Sequence, residues 1–387
     1  MKKILKLALC AACITTMSAC KGGTETEVTS DKEEALQRAM TPYVNNTVIA
    51  TYSRMADEGM VLLGQCEQIL AKVEAGEDYS DLMASAGTTW RAMRKYWEQS
   101  EAFLYGPAAG HTIDPHIDSW PLDFNAMNSL LHNEAQMKQI EEEGGAYVGD
   151  KLGYALKGFH AAEYLLFESV EQGGCAIGTG KTHAANLTRP EAVYLLGIVE
   201  DLAQQSILLE YAWAGEVSEA KMKLLEDGEV DLFEDNYGSQ MINAGKPGST
   251  YVTYQAAAEE IIAGCVDIAG EVADVKMGNP YSAKDPDYLE SPYSCTSTID
   301  FADNIRSIQH AYCGAQAGDY AVSNYVYRQD ADLDARVRKA IDDAIAAIEA
   351  IVDFEHNPTD AKVGAAIDKV KELEEVLDDD VMALLAK

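Results

Sequence analysis

The stretch GFHAAEYLLF, residues 158–167, decides how this chain is read. Placed on a helix, His160 and Glu163 lie three residues apart and point the same way. They share that stripe with Leu156 and Phe167, and the remaining faces, with Leu152, Phe159, Ala162 and Leu166, are hardly more polar. A helix that is apolar all round is a buried helix. A carboxylate is almost never left alone inside a protein, so Glu163 needs a cation, a strong hydrogen-bond donor or a raised pKa. The pair reads either as a hydrogen-bonded lock inside a bundle or as ligands for a metal or substrate. Gly158, taken as a mid-helix residue, costs about 1 kcal/mol against alanine, and close approach of another backbone would explain it.

Working outward, the periodicity predicts helix after helix. The expected segments are 31–75, interrupted at Pro42, then 79–105, 122–142, 150–170, 190–214, 250–277, 298–317, 330–353 and 359–386. Alternating strand-type runs are essentially absent. Thr188, Pro190 and Glu191 look like a helix start, with threonine as N-cap and proline at an early position. Long helices with short connections favour antiparallel bundles. The fold class is therefore all-α, with two antiparallel four-helix-bundle-like domains. A weak internal duplication supports the pairing: TTWRAMRKYWEQSEAFLYG and STIDFADNIRSIQHAYCG each end in a tyrosine close to a glycine, and each follows a long helix. The join falls near residue 187, giving domains 31–186 and 187–387. Segments 106–121, 171–189 and 278–297 resist helical reading, and loops that long in a compact helical protein are usually functional or disordered.

The N-terminus, MKKILKLALCAACITTMSAC, has lysines at 2, 3 and 6 before an apolar run too short to span a membrane. Residues 1–19 read as a secretory signal, and Ser18-Ala19-Cys20 resembles the lipobox of bacterial lipoproteins. Cleavage and acylation at Cys20 would anchor the chain in the cell envelope, facing the periplasm or the cell surface; an ordinary cleaved signal is the alternative. The polar stretch 20–30 reads as a lipidated tether. A net charge of −34 makes nucleic acid an implausible partner and favours cations. Cys66, Cys175, Cys265, Cys295 and Cys313 are widely spaced, which signals neither a disulfide scaffold nor a thiolate zinc site.

Several polar groups accompany the 158–167 stretch. Arg94, Glu98, Glu101 and Tyr105 follow one another at spacings of four, three and four, a helical stripe that is either a solvated ion-pair ladder or, with Trp90 and Trp97 nearly on the same side, partly inward. In IDSWPLD, Asp118 and Ser119 precede Trp120 and Pro121, where a helix start makes Asp118 a cap or a ligand. Ser291, Ser294 and Asp300 in ESPYSCTSTID admit the same two readings. HTIDPHID, with His111, Asp114, His116 and Asp118, has the residue types for a divalent cation, but Pro115 breaks helical spacing and loop histidines are usually just solvated.

GFHAAE fits Gly-x-His-x-x-Glu, and with RKYWEQSEAFLYGP, IDSWPLD and ESPYSCTSTIDFADNI the chain resembles the imelysin family of bacterial exported proteins. That resemblance implies two helical bundles and a site near their interface built around His160 and Glu163. The family was named for a peptidase activity, and its wider membership is associated with iron acquisition. It moves the loops of Asp118, Ser119, Trp120, Ser294 and Asp300 towards the site, beside Gly158, Arg94, Glu98 and Tyr105, with His160, Glu163 and Glu101 as metal ligands. The expected function is binding of iron, as a metal ion or an iron chelate, as part of uptake alongside other iron-uptake envelope proteins. The alternative is a metallopeptidase using zinc. His-x-x-Glu supplies two ligands on one helix face and no base, and Tyr164 after Glu163 excludes the His-x-x-Glu-His form.

Overall fold

A computed structural model describes residues 25–167, 169–170, 174–175, 186–234, 236–285 and 288–387. The expected signal, Cys20 and most of the 171–189 loop lie outside the described residues. Helix α1 (Glu25–Pro42) begins inside the stretch expected to be a tether, and a π-helical turn, Tyr43–Ile49, carries it into α2 (Ala50–Ala75). Pro42 does not interrupt the helix: its φ of −60° is helical, so it withholds one N–H donor without turning the chain. Gly76, with φ of +66°, caps α2 in the left-handed conformation.

There follow α3 (Ser80–Glu98), a 3-10 turn at Glu101–Phe103, α4 (Pro107–Gly110), α5 (Ile113–Ile117), α6 (Phe124–Leu131), α7 (Glu134–Glu143), α8 (Gly145–Lys151), a second 3-10 turn at Tyr154–Leu156, and α9 (Gly158–Leu166). The helices expected over 122–142 and 150–170 are thus each broken. Asn133 caps α7 by accepting from the Gln136 N–H, and Gly153 and Gly158 divide the second segment. The second half contains α10 (Arg189–Ala214), α11 (Glu219–Asp227), α12 (Tyr237–Ile242), α13 (Tyr254–Glu271), α14 (Gly278–Tyr281), α15 (Ser297–Cys313), α16 (Val322–Gln329), α17 (Ala331–Glu349), α18 (Ala361–Glu375) and α19 (Ala383–Leu385). Thr188 caps α10 in a capping box with Glu191. Among the described residues the β pairing is confined to Ser169–Val170 against Gly174–Cys175.

The fold is all-α. Helices α2, α3, α9 and α10 pack in one ring, and α13, α15, α17 and α18 in another. Helix α10 follows the join read near residue 187, yet it packs along α2, the helix it was expected to mirror in the other half. It is long and apolar enough to cross a membrane, but most of its residues are buried in the bundle. The rings share one continuous core, since α1 lies on α13 and α15 lies on α3. That α3–α15 seam, with the loops 106–123 and 288–296 folded over it, positions the polar groups.

Candidate functional site

Helix α9 is buried except at Tyr164, and His160 and Glu163 face inward together. Gly158 is its first residue rather than a mid-helix one: φ is +75°, and a Cβ there would lie 2.1 Å from the Ile117 carbonyl oxygen. The expected close backbone is therefore the loop of Asp118, one residue further on. Glu163 is fully engaged. Its Oε1 accepts from the Tyr293 N–H at 3.1 Å, the Ser294 N–H at 2.8 Å and the Ser294 hydroxyl at 2.7 Å, while Oε2 lies 3.3 Å from His160 Nδ1. It braces the histidine and pins the 288–296 loop.

On the other side, His160 Nε2 lies 3.1 Å from Asp118 Oδ1 but out of line for a hydrogen bond, so this buried nitrogen lacks an aligned partner. Asp118 is the hub. It also accepts from the Trp97 indole N–H at 2.6 Å and pairs with Arg94 Nη1. Arg94 is 1% exposed and spreads its charge over Glu98 at 2.6 Å and Glu290 at 3.1 Å, with Asp300 at 4.0 Å. Lys276, also buried, ends the π-helical turn Val272–Lys276 that continues α13, and lies 3.2 Å from Glu290, 3.4 Å from Glu101 and 3.6 Å from Glu98. Asn304 donates to Glu98 at 2.6 Å, and the Ser291 hydroxyl donates to Asp300 at 2.5 Å.

Carboxylates outnumber cations here, and the ionisation of the cluster follows from that. Burial favours the neutral acids and raises Glu98, Glu101 and Asp300, because Arg94 and Lys276 are shared among too many partners. Asp114 is pushed up to about 7 by burial and by the charges of Asp118 and Glu271. Asp118 goes the other way: burial opposes its ionisation, but Arg94 and His160 outweigh it and hold the carboxyl far below the usual range. His160 is lowered by burial and raised further by its contacts with Asp118 and Glu163, ending at about 9. Glu101, Asp114, Asp118, Glu271, Glu290 and Lys276, with Trp120 and Tyr288, line a cavity of about 230 Å³ beside the histidine. Asp118, His160 and Glu290 bring ligand atoms within 4.8 Å of one another, and so do Glu98, Glu101 and Asp118.

The structure thus gathers Gly158, Arg94, Glu98, Glu101, Asp118, Trp120, His160, Glu163, Ser294 and Asp300 around one point. Trp120 covers His160, with ring centroids 4.9 Å apart. Ser119 lines the cavity, but its hydroxyl is spent on the Pro115 carbonyl at 2.6 Å. Tyr105 is directed elsewhere: its hydroxyl is 2.5 Å from that of Tyr43, and its ring lies against Trp213 and Tyr237. Helix α3 ends at Glu98, and the tight turn after it breaks the four–three–four stripe. Asp118 caps no helix start: it follows the end of α5, and Asp123 is the N-cap of α6; the Ser294 and Asp300 side chains likewise cap no helix start. The HTIDPHID loop does not close on a cation. His111 stacks on Phe233 and His116 pairs with Asp201, leaving Asp114 and Asp118 at the cavity. Sequence reading names none of Glu290, Glu271, Lys276 and Tyr288; a local signal exists for Glu290, which opens the ESPYSCTSTID stretch, and for Lys276, the single basic residue of an acidic helical run.

A histidine on a buried helix, braced by one glutamate and faced by carboxylates where two helical bundles meet, marks an all-helical protein built around a buried charged cluster. The model of the family described as Imelysin matches residues 48–385, and the chain belongs to that family. Iron-regulated protein A of Synechococcus elongatus is 27% identical over 319 residues, covering 82% of this chain and 74% of that protein. In fold, the chain is similar to an iron-regulated protein A precursor of Parabacteroides distasonis, with a TM-score of 0.72 and 24% identity over 89% of this chain and 94% of that one. An imelysin-like protein of Psychrobacter arcticus superposes with a TM-score of 0.63 at 12% identity, over 92% and 96% of the two chains.

Proposed function

We propose that this imelysin-family protein binds iron, or an iron-containing ligand, as part of bacterial iron uptake, and that it does so exported and lipid-anchored through Cys20. The observation that carries the reading is the surplus of buried carboxylate around a histidine nitrogen that has no aligned partner. Asp118, His160 and Glu290 would hold the cargo, with Glu98 and Glu101 beside them. Oxygen and imidazole donors suit iron. Glu163 supports rather than ligates, because three donors already occupy its Oε1 and its Oε2 faces His160 Nδ1. A bound cation would offset the burial and the like charges that raise Glu101 and Asp114, and it would displace the proton on His160. The name of the Synechococcus relative, iron-regulated protein A, points the same way. The metallopeptidase alternative has no better support, since hydrolysis also needs a general base beside a metal-bound water, and the geometry sets no one carboxylate of the cluster apart for that role.

The test is iron content and iron titration of the purified chain without its first 19 residues. The paired substitution His160→Gln with Glu163→Gln keeps side-chain volume and is expected to leave a cooperative helical melt while abolishing uptake. Iron binding undiminished in that protein would overturn the reading. Chelator-sensitive peptide cleavage that vanishes in His160→Ala and returns with zinc in the wild type would promote the peptidase.

A further inference from the structure

Outside the site, a second buried polar group joins the elements that build it. Asp201, 1% exposed on α10, receives His116 Nε2 at 2.9 Å from each of its carboxylate oxygens. Nδ1 of the same ring lies 3.3 Å from Lys157 Nζ, and that ammonium also donates to the Gly149 carbonyl at 2.6 Å. Lys157 is 2% exposed, with the Tyr154 ring 5.3 Å from its charge. The packing allows Asp201 no slack, for a Cβ at Gly149 would meet its Oδ1 at 2.7 Å. None of these three side chains lines the cavity. Their chain positions are what matter. His116 precedes Asp118 by two residues, and Lys157 immediately precedes Gly158, three residues before His160. Between them, Gly158 and Ile117 are in backbone contact.

We propose that Asp201 is a positioning residue which, through His116 and Lys157, fixes the loop of Asp118 and the start of the His160 helix against the rigid α10. The inference rests on the reading that Asp118 and His160 belong to the binding site. A buried carboxylate that holds one imidazole nitrogen with both its oxygens gives the His116 ring one low-energy place, and Lys157, met by the other nitrogen of that ring, takes its position from it. Without Asp201 the segments keep their apolar contacts but lose the lateral reference that sets Asp118 opposite His160 and Trp97.

The experiment uses the full chain with Asp201→Ala, His116→Ala and His116→Gln, the last retaining an amide donor towards Asp201. The readout that needs no metal is the indole N–H resonance of Trp97, which is bonded to Asp118 Oδ2, with Trp90 and Trp213 as internal controls. Asp201→Ala and His116→Ala are expected to move the Trp97 resonance towards that of an unbonded indole, and to weaken iron binding about tenfold or more. His116→Gln is expected to restore both, with the control resonances unmoved throughout. A lowered melting temperature with Trp97 unmoved would overturn the inference and leave Asp201 a merely stabilising residue. If neither alanine variant folds, Lys157→Met, which keeps the apolar stem, is read against the same two outcomes. Loss of the Trp97 shift condemns the positioning role alone, whereas absence of iron binding in the wild type condemns the functional reading alone.

Discussion

Replacing Gly158 with alanine should damage the site directly. The native φ of +75° costs a residue with a Cβ about 1–2 kcal/mol. The new methyl would sit 2.1 Å from the Ile117 carbonyl oxygen, so helix α9 and the Asp118 loop must part by about 1 Å to reach a tolerable contact. Asp118 is the next residue: it accepts from the Trp97 indole at 2.6 Å, and His160 Nε2 lies 3.1 Å from it. A shift of about 1 Å takes the first past the limit of a useful hydrogen bond and separates the second further. Losing one charge-assisted bond costs about 1.5–3 kcal/mol, which with the backbone strain makes about 2.5–5 kcal/mol in all. Iron affinity should fall about a hundredfold, as misplacement on that scale does at preorganised sites. Urea melts followed by circular dichroism, with iron titration of the folded fraction, measure both. A Gly158→Ala protein within 1 kcal/mol of the wild type (on the order of the smallest strain expected) and equal to it in iron affinity would refute the reasoning.

His160 titrates at about 9 in the folded chain against an ordinary value of about 6.5. Its proton therefore stabilises the iron-free fold fully below about pH 6.5, and up to about 3 kcal/mol is lost as pH rises through 9, a loss that His160→Gln should remove in melts from pH 6 to 10. Iron must displace that proton, so apparent affinity should rise about tenfold per pH unit between pH 7 and 9, and a flat profile would show that His160 is not a ligand. Arg94→Met should cost about 3–5 kcal/mol in urea melts by stranding Asp118, Glu98 and Glu290 beside one another, and an unchanged melt would contradict the charge balance described. Fatty-acid labelling should mark the wild type and not Cys20→Ser, and an unlabelled wild type would remove the lipid anchor from the proposal.

Much of the fold was legible because helical periodicity is a local signal. Every long helix lies where apolar residues recur at three and four, and the burial of α9 followed from its having no polar face. The breaks were less legible. Pro42 passes within a helix because φ alone does not forbid it, whereas Gly158 ends one segment and starts another because its backbone is left-handed, and no pattern in GFHAAE distinguishes that from a mid-helix glycine. Whether α10 belonged with α2 or with the later helices was likewise a question of which apolar stripes meet, and periodicity is blind to partners.

By itself the sequence determined an acidic, all-helical chain with His160 and Glu163 turned inward on a buried helix, because composition, spacing and amphipathicity are properties of neighbours along the chain. Tertiary structure alone decided what those two residues do. It brought the N–H groups of Tyr293 and Ser294 onto Glu163 from 130 and 131 positions away, making that glutamate a brace, and it set Asp118 opposite His160 by packing a loop onto the backbone of Gly158. It also decided that Glu290 and Lys276 join the cluster while Tyr105, on the expected stripe, leaves it. Charge is the physical reason: the state of a buried carboxylate depends on the cations and donors within a few ångströms of it in space, and sequence separation carries almost no information about that distance.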